Sequence, residues 1–160
     1  MSAKPRSSSI QSAWAEPIYL DASALVKLFV PEAESDALNE ALVGAEGVIV
    51  SDLALTEMAS ALGRRVREGR LPQAEARRLQ REAEKVAGAC RRAELTPPIH
   101  RRAERLLLSS REVPLRALDA LHVATALDAD VATVVTFDPR LRAVAAAQSL
   151  FVVPDVTPHG

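Results

Sequence analysis

Along the chain, short unbroken apolar runs alternate with longer segments in which apolar residues recur every three or four positions. Runs of the first kind, bounded by turn residues, read as strands buried on both faces; segments of the second kind read as amphipathic helices. The first run is IYL, Ile18 to Leu20, ending at Asp21. A helix follows over SALVKLFV and stops at Pro31, and a second spans about Glu34 to Val43 before Gly44 and Gly47. GVIVSD supplies the second strand, with Ser51 or Asp52 as N-cap of a long helix through Glu57 to about Glu68. Gly69 and Pro72 mark the turn into the helical segment QAEARRLQREAEKVAGAC. A weak strand near Ala93 to Leu95 precedes Pro97, Pro98 and a helix to Ser110. LRALDALHVATAL, Leu115 to Leu127, reads as a buried helix, TVVTF as a strand, Asp138-Pro139 as the start of a short helix, and LFVV as the last strand. Strands separated by helices imply right-handed crossovers and a parallel sheet covered on both faces. The class is α/β, and in such folds ligands bind beyond the carboxyl ends of the strands.

Two acids stand at those ends, Asp21 after the first strand and Asp138 after TVVTF. Each is also a good helix N-cap, and Pro139 is what a helix start prefers. Two helical acids are harder to place. Asp119 shares a stripe with Leu115, Val123 and Ala126, and Glu57 shares one with Leu53, Ala54, Ser60 and Ala61. A lone buried carboxylate costs several kcal/mol or takes up a proton, and carboxylates brought close raise one another's pKa. Something positive belongs among them, either an arginine such as Arg116 or a divalent metal. An all-oxygen set suits Mg²⁺ or Mn²⁺ and is poor for zinc. The alternative is that Glu57 and Asp119 lie on a helix edge facing solvent. Ser23 and Thr136, each two residues from an acid at a strand end, can hydrogen-bond a carboxylate or simply cap and turn the chain. His122, three residues after Asp119, reads as an ordinary packing or surface histidine rather than a general base.

Composition narrows the picture. The chain has 160 residues, one cysteine, and a net charge of −1 from 20 basic and 21 acidic side chains. That length suits one domain burying roughly 70% of its unfolded surface. Cys90 alone permits no intrachain disulfide and no cysteine zinc cluster. Charge balance excludes a global field that recruits nucleic acid, and an aromatic content of 3% argues against a surface that stacks many bases. Arginines nevertheless cluster in GRRVREGR, at Arg77, Arg78 and Arg81, at Arg91 and Arg92, and in HRRAER, as solvated helix faces or as a phosphate-binding rim. Residues 1–16 lack the apolar run of a signal peptide and are expected to be a disordered extension, residues 17–154 the domain, and residues 155–160 a tail. With no apolar segment of bilayer length, a cytoplasmic protein without a membrane span is expected.

The ordered set LDASALVKLFV, TEMASAL, LRALDALHVATAL and VVTFDPRL resembles the PIN-domain family, in particular the VapC-type toxins of bacterial toxin–antitoxin pairs, over about Ile18 to Val153. The resemblance implies a three-layer α/β/α sandwich with a central parallel sheet. By position, the family's acidic quartet for Mg²⁺ or Mn²⁺ falls on Asp21, Glu57, Asp119 and Asp138, and supporting hydroxyls on Ser23 and Thr136. It further implies hydrolysis of RNA phosphodiester bonds, a cognate antitoxin protein that covers the acidic groove, and a homodimer. The chain departs from the pattern in its N-terminal tail and at Asp128-Ala129-Asp130, where a glycine often ends the helix. Two other readings compete. Phosphatases that form an aspartyl phosphate need a second Asp two residues after the first, where this chain has Ser23. A non-catalytic PIN-fold module binding RNA or protein through its arginines gains nothing from four acids without a metal.

Overall fold

The first apolar run forms the middle of a sheet. In the computed structural model, which describes residues 12–155, the elements run β1 (Ile18–Leu20), α1 (Ala22–Phe29), α2 (Ser35–Leu42), β2 (Val48–Ser51), α3 (Asp52–Arg67), α4 (Gln73–Ala89), β3 (Arg91–Ala93), α5 (Pro97–Ser109), α6 (Ala117–Asp128), β4 (Thr133–Val135), α7 (Pro139–Ala147) and β5 (Val152–Val153). All strand pairs are parallel, in the order β3-β2-β1-β4-β5. Crossovers leave β1 in one direction towards β2 and β3, and the later strands build out in the other. The strand order therefore reverses between β1 and β4, which makes their carboxyl ends a switch point where the edges of the sheet open into a crevice.

Alternation along β1 explains the layers. Ile18 and Leu20 face one way, into a core with Leu25, Val50, Met58, Leu62 and Leu79 from α1, β2, α3 and α4. Tyr19 faces the other way with Ile49, Val134 and Ala126 of α6. On that side Ile99 and Ala103 of α5 pack on Ala120 and Ala124 of α6, and Val123 of α6 meets Leu141 and Val144 of α7. Helices thus cover both faces, giving the expected α/β/α sandwich. Every residue of β1 is buried, which is why it lacks the polar alternation of a one-sided strand.

Several boundaries differ from the sequence expectation. Strand β3 is Arg91–Ala93 rather than Ala93 to Leu95. It is an edge strand, registered by backbone bonds to Ile49, Val50 and Ser51, so it needs no apolar run of its own. Helix α6 begins at Ala117, because Arg116 is still extended at ψ 155°. Its far end departs from the usual pattern as well: Asp130, at φ 49°, takes the left-handed position usually given to glycine. Gly69, at φ 69°, fills that role after α3, as the expected turn requires.

Of the tail expected to be disordered, residues 1–11 lie outside the described residues, as do residues 156–160 at the other end. Residues 12–16 are tied to the domain: the Ala13 N–H donates to the Ala41 carbonyl at 3.1 Å, Trp14 packs on the core, and the Glu16 carboxylate accepts the Glu46 and Gly47 amides. Among the described residues no helix is long and apolar enough to cross a membrane.

Candidate active site

At the switch point, β1 runs directly into Asp21, which is 3% exposed and caps α1 by accepting the Ala24 N–H at 2.9 Å. The Ser23 hydroxyl donates to the same carboxylate at 2.7 Å, and the Thr136 hydroxyl donates to its second oxygen. Both hydroxyls also accept from the segment after β4, Ser23 across the sheet from the Phe137 N–H at 2.8 Å and Thr136 locally from the Asp138 N–H at 3.0 Å. Two hydroxyls therefore lace the end of β1 to the end of β4, with Asp21 at the centre. Burial raises the Asp21 pKa above the ordinary carboxylate range, against the opposing pull of the Thr136, Ala24 and Ser23 hydrogen bonds.

Asp119 sits in the first turn of α6, and it is 7% exposed. The inward direction expected from the stripe is present, since Val123 and Ala126 are each 1% exposed; Leu115 lies before the helix. One carboxylate oxygen, Oδ2, is buried without a hydrogen-bond partner. Burial raises the Asp119 pKa, and the negative charge of Asp138 adds to the rise. His122 opposes it, and the Arg116 backbone amide and guanidinium do so after it, although the Arg116 side chain is exposed. Asp138 caps α7 by accepting the Arg140 N–H at 2.8 Å, with Pro139 at the first helical position.

Glu57 comes from α3, two turns beyond the Ser51 cap, and its side chain is 26% exposed. Glu57, Ser23 and Asp138 line a cleft of about 500 Å³ together with Lys27, Arg64 and Arg65. Lys27 and Arg65 are already engaged by Glu32, Lys27 at 2.6 Å, whereas Arg64 is exposed. The structure therefore brings Asp21 together with Ser23 and Thr136, and Asp119 within electrostatic range of Asp138, while Glu57 and Asp138 share the cleft wall. It does not pull the acids into a closed cage: among the described residues no three His, Cys, Asp or Glu side chains form a group that could hold a metal unaided.

His122 is neither a surface residue nor a plain packing residue. It is 4% exposed, its Nδ1 lies 2.6 Å from the Tyr19 hydroxyl, and its Nε2 hydrogen-bonds Glu57. The Tyr19 hydroxyl in turn lies 2.9 Å from Ser51 Oγ. A polar tip on the central residue of a buried strand was the available signal, since a buried Tyr hydroxyl needs a partner.

The PIN domain profile matches residues 18–147. Ribonuclease VapC46 of Mycobacterium tuberculosis is 37% identical over 141 residues, covering 85% of this chain and 95% of that protein. Among solved structures, M. tuberculosis VapC20, titled a Sarcin-Ricin loop cleaving toxin, superposes with a TM-score of 0.64 at 20% identity, over 79% of this chain and 93% of the other. A chain from a toxin-antitoxin complex of Klebsiella pneumoniae superposes with a TM-score of 0.55 at 16% identity, over 76% and 86%. At such identities the structural likenesses establish the fold.

Proposed function

The chain belongs to the PIN-domain family, among the VapC ribonucleases, and from that premise we propose that it is an Mg²⁺- or Mn²⁺-dependent endoribonuclease, the toxin of a toxin–antitoxin pair. The observation that carries the metal reading is Asp119, whose buried, unpartnered carboxylate oxygen lies near the charge of Asp138 at the switch point of the sheet. A hard divalent cation fits that environment. The acids offer oxygen alone, which zinc disfavours. Mg²⁺ keeps several waters and takes one or two carboxylates plus substrate phosphates, so acids that stand apart suit it better than a dedicated cage would.

Asp21, Glu57, Asp119 and Asp138 would hold the cation. When bound, it supplies Lewis-acid polarisation of the phosphodiester and offsets charge on the attacking and leaving oxygens. The chain's own residues prepare the place. Ser23 and Thr136 fix the Asp21 carboxylate and the spacing of β1 from β4. Exposed Arg64 on the cleft wall offers a partner to an RNA backbone phosphate. Arg116, exposed before α6, tempers the charge of Asp119. The family resemblance supports a cytoplasmic protein, a homodimer, and a cognate antitoxin that silences it.

Purified protein tests the reading. RNA cleavage is expected with Mn²⁺ or Mg²⁺, is expected to stop with a chelator, and is expected to be lost in Asp119→Asn with the fold retained. Undiminished cleavage by a folded Asp119→Asn protein, or cleavage indifferent to chelator, would overturn it.

A further inference from the structure

Three buried polar side chains stand behind Glu57 with no part in the reaction derived so far. Ser51 and Tyr19 are 0% exposed and His122 is 4% exposed. They form one line: Ser51 Oγ to Tyr19 hydroxyl at 2.9 Å, Tyr19 hydroxyl to His122 Nδ1 at 2.6 Å, and His122 Nε2 to a Glu57 oxygen, Oε2.

Proton accounting gives the line a direction. Ser51 Oγ accepts the Ala54 N–H at 3.1 Å as the cap of α3, so its own proton is free to go to the Tyr19 oxygen. Burial pushes the Tyr19 pKa far up, which keeps the phenol protonated and leaves its proton for Nδ1. With Nδ1 accepting from the phenol, Nε2 carries the N–H that goes to Glu57. Every donor and acceptor in the line is then satisfied, with none left over.

This arrangement orients a carboxylate from a fixed, buried donor. Two cations on the same cleft wall, Arg65 and Lys27, are engaged by Glu32. The imidazole holds one Glu57 oxygen from inside, and Glu57, lining the cleft, keeps its other oxygen for it. We infer that His122, anchored by Tyr19 and Ser51, is a positioning residue that presents Glu57 to the metal as a one-oxygen ligand. The inference rests on the reading of Glu57 as a metal ligand. An outer partner of a ligand typically changes metal affinity tenfold to a hundredfold when removed, by a rough range seen across metalloproteins.

The experiment measures Mn²⁺ affinity of the full-length protein from the free-ion resonance signal, alongside kcat and KM for RNA, in wild type, Tyr19→Phe, His122→Leu, His122→Gln and Glu57→Gln. Melting curves establish that each is folded, and Tyr19→Phe decides if His122→Leu is not. His122→Leu is expected to weaken Mn²⁺ binding by about tenfold to a hundredfold, and Tyr19→Phe by less. His122→Gln, which can place an N–H near the Nε2 position, is expected to recover most of the affinity. Saturating Mn²⁺ is expected to restore kcat in His122→Leu without changing KM for RNA. Wild-type affinity in both Tyr19→Phe and His122→Leu, with affinity lost in Glu57→Gln, overturns the positioning role and leaves the metal reading intact. Equal Mn²⁺ binding by wild type and Glu57→Gln removes Glu57 from the ligand set and takes the inference with it.

Discussion

Replacing Asp119 by asparagine is expected to abolish cleavage and, without metal, to stabilise the protein. Asp119 is 7% exposed, one of its oxygens has no partner, and the charge of Asp138 repels it. A buried polar group left unsatisfied costs about 1–3 kcal/mol, more when charged. The swap keeps the shape, removes the charge, and puts an amide in place of one carboxylate oxygen. The amide still buries a polar atom there, so only the cost of the charge is relieved, a gain of about 1 kcal/mol, or a rise of about 3 °C in melting temperature for this size. The pH dependence fixes the cause. An acid whose folded pKa is raised binds its proton more tightly in the native chain than in the unfolded one. Its penalty is therefore absent below the unfolded carboxylate range, near about 4, and develops as pH rises through the folded value, with a slope of at most about 1.4 kcal/mol per pH unit. The asparagine variant is expected to lead at neutral pH and to lose its lead in acid. Urea unfolding of both proteins in chelator, across that pH range, measures this. A variant less stable than its parent at neutral pH, or a lead that grows in acid, refutes the reasoning.

Adding Mn²⁺ is expected to reverse the order, because a cation that binds only the native state at a hundredfold excess over Kd stabilises by about 2.7 kcal/mol; a melting temperature that ignores Mn²⁺ in wild type, or rises equally in Asp21→Asn and Asp138→Asn, contradicts this. At the rim, Glu32→Gln is expected to cost about 1 kcal/mol at neutral pH, since it breaks partly buried ion pairs to Lys27 and Arg65. Lys27 and Arg65 hold the Glu32 pKa down, so its contribution is present above the unfolded value and is lost as pH falls through the folded one; denaturation curves of the two proteins should therefore converge in acid.

What the chain revealed in advance was periodic, and what it concealed was long-range. The parallel sheet and its order of elements were legible because IYL, VIV and TVV are short apolar runs set between amphipathic segments. The inward direction of Asp119 was legible because Val123 and Ala126 share its stripe. The start of α6 was not, since Leu115 and Arg116 continue the helical pattern while Arg116 is extended. An acid at the third helical position supplies the acceptor that the first turn lacks, and the helix begins where that acceptor serves it. The role of His122 was hidden for another reason. Its partners Tyr19 and Glu57 are 103 and 65 residues away in the chain, and no local period reports such a meeting.

The choice posed by the sequence between a helix cap and a site residue does not survive at Asp21 and Asp138. Both cap a helix, accepting from the Ala24 and Arg140 amides respectively, and both stand at the switch point. Asp119 lies in the first turn of a third helix. Three helix N-termini thus each contribute one acid, and the positive end of each helix, equivalent to roughly half a charge, offsets part of the repulsion that a carboxylate cluster creates. The offset matters here because Lys27 and Arg65, cations on the cleft wall, are paired with Glu32. Glu57 has no such help, because it lies well inside α3, beyond the reach of that helix's N-terminal field. It is also the acid that receives a dedicated donor, His122, fixed from behind by Tyr19 and Ser51. The buried line of hydrogen bonds and the three helix N-termini are two solutions to one electrostatic problem, with the choice set by where each acid falls along its helix.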